Sequence, residues 1–147
     1  YDVSFPRLLA DFDALPFARR HFDVIVFNGS LHYAPNVRAT LARVAPLVAP
    51  GGVIAVIDSP MFGCPVSGAS MRARTIERFR REFGVAEPIL PGEGFLLFST
   101  LSETVSALGF DASFFESPGD LRWTVGRWIG RVRHRIQPAQ FGVWWAA

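Results

Sequence analysis

Lysine is absent from this sequence, and all fifteen of its basic side chains are arginines. Thirteen carboxylates nearly balance them and leave a formal net charge of +2, so the chain lacks the strong field of one sign that draws a protein to nucleic acid. An all-arginine basic set most simply reflects the coding bias of a GC-rich genome. Cysteine is almost absent too. Cys64 is the only one, which excludes an internal disulfide framework and any multi-cysteine metal site within the chain; a reducing, cytoplasmic setting is expected on that ground. No apolar run approaches the roughly 20 residues needed to cross a bilayer, and the N-terminus has no signal-peptide layout. There is no internal repeat and no low-complexity tract. Tyr1 is not an initiator methionine and no strand-start signal follows it, so the sequence reads as the back part of something longer.

What is present belongs to a packed globule. Half of the 147 residues are hydrophobic and 19% are charged, a balance that argues against disorder, and the length suits one domain rather than two. The chain is organised around the stretch from Phe22 to Asp58. Phe22 to Phe27 is a short run rich in β-branched residues, left by Asn28-Gly29, as expected of a central parallel strand buried on both faces. From Pro35 the apolar positions fall at Val37, Leu41, Val44, Leu47 and Val48, the spacing of a helix with one buried face. Pro50-Gly51-Gly52 is expected to end that helix, and Val53 to Ile57 to form a second buried strand ending at Asp58. Strand, helix and strand joined by short loops make a βαβ crossover, which imposes a parallel pair with right-handed topology.

The flanks are less regular. Tyr1 to Leu9 has no clear period, and Leu8 to Phe12 is expected to form a brief strand. After Asp58 a loop with two prolines and a glycine would sit at the carboxyl end of a parallel strand, where open α/β sheets bind ligands. Ser67 to Phe83 is helical in pattern and closed by Gly84, and Pro88 to Gly94 is a turn-rich linker. Thr100-Leu101-Ser102-Glu103 has the spacing of a capping box, which predicts a helix over 101–108 stopped by Gly109. Ala112 to Glu116 and Phe141 to Trp145 read as strands. Between them, Leu121 to Gln137 reads as a basic amphipathic helix weakened by Gly126 and Gly130.

The residues Asp11 to Phe17, Phe22 to Val26, Leu31-His32-Tyr33, and Leu47 to Gly52 followed by a strand ending at Asp58 resemble class I S-adenosylmethionine-dependent methyltransferases of the small-molecule type. The order matches that family: an acidic residue after the third strand, a Leu-Pro-Phe, a fourth strand opening Phe-Asp, a Leu-His-His-like turn, and a helix ending in Leu-x-Pro-Gly-Gly. The resemblance implies an α/β, Rossmann-like methyltransferase sheet, incomplete at its N-terminal side, with an antiparallel C-terminal strand pair. A single partial domain would then comprise a remnant and third-strand region (1–21), the central strand-helix-strand unit (22–58), helices and the sixth strand (59–120), an inserted basic helix (121–137) and a final strand (138–147). The family's first strand, its Gly-rich turn and the acidic residue that holds the ribose are not in the sequence.

The resemblance also implies S-adenosylmethionine as cofactor and a small organic molecule as methyl acceptor. Asp11 would accept a hydrogen bond from the adenine amino group, and the Phe12 amide would donate to a ring nitrogen. Asn28, Gly29, Ser30 and Leu31 would line the methionine and ribose end. His32 is a candidate general base and Asp58 a group to orient or deprotonate the acceptor; their bland counterparts are packing around the cofactor and a loop cap. Cys64 reads as a small apolar filler. Met61, Phe62, Phe95, Leu96, Leu97 and Phe98 either cover an apolar acceptor or belong to the core. No metal is expected and nucleic acid is not an expected partner. Two rivals stand beside this reading: a non-enzymatic remnant acting as a binding or assembly module, and a basic RNA- or membrane-associated domain using the arginine helix. The missing strands would leave the edge of the Phe22 to Phe27 strand free for self-association.

Overall fold

The computed structural model describes residues 6–11, 14–85, 91–117 and 137–147. The β-branched run over Phe22–Asn28 forms β1, and its parallel partner β2 spans Val48–Ile57. The crossover helix α1 runs Val37–Val44 and opens on the Asn36 side chain, which accepts from the Ala39 amide at 3.0 Å as an N-cap does. α1 ends earlier than the apolar spacing predicts. Pro46 has no N–H to give back along the helix, so Ala45–Leu47 tightens into a 3-10 turn and Val48 already belongs to β2.

After β2 the short strand β3 (Met61–Phe62) pairs in parallel with β4 (Leu96–Leu97), on either side of the long helix α2 (Pro65–Phe83). Gly84 caps α2 in the left-handed conformation, as expected from the sequence. Helix α3 (Phe98–Ala107) follows β4 directly, with Leu97 at its N-cap. The capping box therefore does not form. Thr100 lies inside the first turns, where its carbonyl accepts from the Thr104 hydroxyl, and Glu103 reaches across to Arg38 on α1 at 2.7 Å. β5 (Ala112–Glu116) and β6 (Gly142–Ala146) pair antiparallel. The segment 8–11 forms no strand: Leu8 and Leu9 are exposed, and no described residues pair with them. Phe12 and, apart from Gln137, the predicted helix over 121–137 lie outside the described residues.

The main sheet has the order β1-β2-β6-β5. Its register fixes which residues share a face. Phe27 opposes Val56, Val56 opposes Trp144 and Trp144 opposes Phe114, so these side chains point together. They meet Leu41 and Val44 of α1 and Leu101 and Val105 of α3 in one apolar core. The other face carries Val24, Val26, Trp145 and Phe115, all exposed. The first strand was expected to be central and buried on both faces. Within the described sheet it stands at the edge and is covered on one face alone, with Val26 51% exposed.

Candidate functional site

The carboxyl ends of two neighbouring parallel strands lie side by side where β1 runs out at Asn28 and β2 at Ile57. Both chains turn there through the left-handed region: Gly29 has φ 56 and Asp58 has φ 50. Glycine adopts that conformation without strain, whereas a residue with a side chain holds it at a cost of roughly 1–2 kcal/mol. The two turns are joined, since the Gly29 amide donates to the Ile57 carbonyl at 3.0 Å. A Cβ on Gly29 would lie 3.7 Å from an Asp58 carboxylate oxygen, so the Asp58 side chain stands over the Gly29 turn.

The 3-10 turn Leu31–Tyr33 follows. It places Leu31 in the core, fully buried. His32 is buried beside it, with Nδ1 3.0 Å from the Ser59 hydroxyl. The Ser59 hydroxyl donates to the Ile57 carbonyl at 3.3 Å, and a serine has one proton to give. With that proton given to Ile57, the oxygen would accept from Nδ1–H and the lone pair would fall on Nε2. No buried side-chain nitrogen or oxygen among the described residues lacks a partner, so the unpartnered Nε2 is at the accessible side of the ring. Burial pushes the His32 pKa below 6.5, and the charge of Asp58 opposes that fall without cancelling it. The neutral imidazole is thus the form that this environment favours.

Tyr33 packs against His32 with ring centroids 4.0 Å apart and the ring planes tilted by 48°. From the other side the turn is held by the loop before β4, where the Gly94 amide donates to the His32 carbonyl at 3.0 Å. The residues singled out in the sequence divide accordingly. Asn28, Gly29, Ser30, His32 and Asp58 lie where β1 and β2 end, joined by the Gly29–Ile57 bond. Asp11 lies exposed in an irregular segment, and Phe12 is outside the described residues. Ser59, fully buried behind His32, escaped the sequence reading. Its one signal was its place directly after the acidic residue that ends a parallel strand. Among the described residues no group of three or more His, Cys, Asp or Glu side chains could hold a metal ion, and no helix is long and apolar enough to cross a membrane.

Comparison with known proteins supports the same frame. Residues 3–56 match the family described as "Methyltransferase domain". The curated protein sequences give no match. Among solved structures, YcgJ from Bacillus subtilis is similar with a TM-score of 0.58 and 16% identity, over 93% of this chain and 66% of that one. A candidate sarcosine dimethylglycine methyltransferase from Galdieria sulphuraria gives a TM-score of 0.61 at 13% identity, over 93% and 57% of the two chains. The CurJ carbon methyltransferase gives 0.52 at 17% identity, over 93% and 33%. At such identities these likenesses establish the fold. The chain spans 66%, 57% and 33% of the three structures, less than two thirds of each. The family match is confined to residues 3–56, and the likenesses to solved structures give the chain the α/β, Rossmann-like fold of those structures.

Proposed function

We propose that the domain serves methyl transfer from S-adenosylmethionine to a small organic acceptor, with the strand-end cleft between β1 and β2 as its site. The observation that carries this reading is the paired left-handed turn, with Asp58 held at φ 50 over Gly29. Backbone strain at a non-glycine residue persists where the surroundings over-determine it, and such residues cluster at functional sites.

The donors and acceptors of the cleft suit the polar end of that cofactor. Asn28 offers both an amide donor and a carbonyl acceptor, Ser30 a hydroxyl, and Asp58 a carboxylate that only accepts, matched to ammonium or ribose hydroxyl donors. The family resemblance assigns the adenine end to Asp11 and to Phe12, which lies outside the described residues. The cofactor supplies a methyl group on a sulfonium, whose charge is neutralised as the methyl leaves, so the protein's task is mainly in-line positioning of the nucleophile. Within that task His32 takes a proton from the acceptor at Nε2, and Asp58 orients the acceptor or the cofactor's polar end.

Among the described residues β1 stands at the sheet edge with an exposed face beside it, which favours a second reading, in which the chain is a binding or assembly module. Titration calorimetry with S-adenosylmethionine separates the two. Saturable binding, weakened in both Asn28→Ala and Asp58→Asn, is expected on the first reading. Absence of binding up to about 1 mM, the weak end of the range enzymes use for substrates, leaves the chain an assembly module.

A further inference from the structure

A cavity of about 380 Å³ lies between the start of α1 and the start of α3, within the size range of small-molecule sites. Its wall is built mainly from Ala34, Val37, Phe95, Leu96, Leu97 and Leu101. It adjoins the strand-end cleft. Ala34 follows Tyr33 directly, and the loop carrying Glu93 and Phe95 is bonded to the His32 turn through Gly94. Gly92 rests so closely on that turn that a Cβ there would lie 2.6 Å from the His32 carbonyl oxygen. Phe95 is fixed in turn. Its ring meets Phe62 edge to face at 5.7 Å and packs on Gly68 of α2, where a Cβ would come within 2.2 Å of it.

The charges at this wall decide what it can take. Arg38 lines the cavity but is held by Glu103 at 2.7 Å, and Glu93 lines it but is paired with Arg72. The Asn36 side-chain oxygen is engaged as the cap of α1. The wall therefore presents apolar surface, the Asn36 amide N–H groups and the Thr100 hydroxyl, and no uncompensated charge. A ligand ion entering it would lose hydration without gaining a partner.

We propose that this cavity is the acceptor subsite, and that the acceptor is an electrically neutral, largely apolar small molecule carrying one neutral polar group. The proposal rests on the methyl-transfer reading for the word acceptor. The selectivity itself follows from the two ion pairs. Phe95 and Leu97 thus serve the site, while Met61, Phe62 and Leu96, almost fully buried, serve the core.

The test uses 3-methylindole as neutral probe, with indole-3-acetate and tryptamine as its charged analogues, followed by amide NMR shifts. The neutral probe is expected to move the amides of residues 34–38 and 93–101 selectively, and both ions to bind at least about tenfold more weakly, a difference of roughly 1.4 kcal/mol. Glu103→Gln frees Arg38 and is expected to raise indole-3-acetate affinity; Arg72→Gln frees Glu93 and is expected to raise that of tryptamine. Leu97→Trp or Val37→Trp fills the space and is expected to abolish the shifts, either variant sufficing if the other fails to fold. Equal binding of all three probes, or shifts confined to the exposed sheet face, overturns the proposal. Calorimetry with S-adenosylmethionine is scored separately, so a cavity that selects neutral probes in a protein that ignores the cofactor sinks the methyl-transfer reading and leaves the site standing.

Discussion

His32 Nδ1 lies 3.0 Å from Ser59 Oγ, joining a turn after β1 to a turn after β2 across 27 residues of chain. Because the Ser59 proton is committed to Ile57, the neutral ring is expected as the Nδ1–H tautomer. Nitrogen-15 NMR of the labelled imidazole checks this, with Ser59→Ala expected to move the ring toward Nε2–H. An Nε2–H ring in the unmutated protein would refute the assignment.

The same residue gives a pH dependence. Burial lowers the His32 pKa in the folded state below the 6.5 of the free side chain, so between those two values the unfolded chain binds more protons than the folded one. Stability is then fully present above pH 6.5 and is lost as the pH falls through the window below it. Urea unfolding across pH 5 to 8 is expected to show this loss, and His32→Gln to flatten it; an unchanged profile in the variant assigns the loss to other groups.

Asp58 stands in a conformation that glycine occupies freely. Asp58→Gly is expected to leave stability unchanged or raise it by up to about 1 kcal/mol, while weakening S-adenosylmethionine binding. A variant that is destabilised by more than that and binds normally would make Asp58 a structural cap, without a role at the site.

Trp144 and Trp145 are chain neighbours on opposite faces of β6, 1% and 40% exposed. Trp144→Ala removes the largest side chain of the core and is expected to cost about 3–5 kcal/mol. Trp145→Ala faces the uncovered side and is expected to cost about 1 kcal/mol or less. Similar losses at both positions would mean that the Trp145 face is covered in solution.

Among the described residues β1 is the edge strand and Val24 and Val26 are exposed on it. Sedimentation velocity is expected to show concentration-dependent self-association, reduced in Val26→Lys because a charge there opposes strand addition. A monomer at every concentration would set the expectation aside.

Much of the fold was legible because its signals are local. The β-branched run of β1, the spacing of Val37, Leu41 and Val44, and the left-handed glycines Gly84 and Gly109 each report on a few consecutive residues. Errors came where a distant partner overrode the local pattern. Thr100 and Glu103 have capping-box spacing, yet α3 starts earlier because β4 leads straight into it, and Glu103 spends its carboxylate on Arg38, 65 residues away. At the site, Asn28, Gly29, His32 and Asp58 were readable as strand-end residues, whereas Ser59 gained its role from a bond that no spacing encodes.

The sequence by itself determined the strand-helix-strand unit, the helix α2 and the strands β5 and β6, since periodicity and turn chemistry act over a few residues and require no neighbour. The tertiary structure decided that β6 enters between β2 and β5, that one face of the sheet is covered and the other bare, and that the charges around the cavity are already paired. Each of these depends on which surfaces meet across long loops, and burial and ion pairing arise only once they have met.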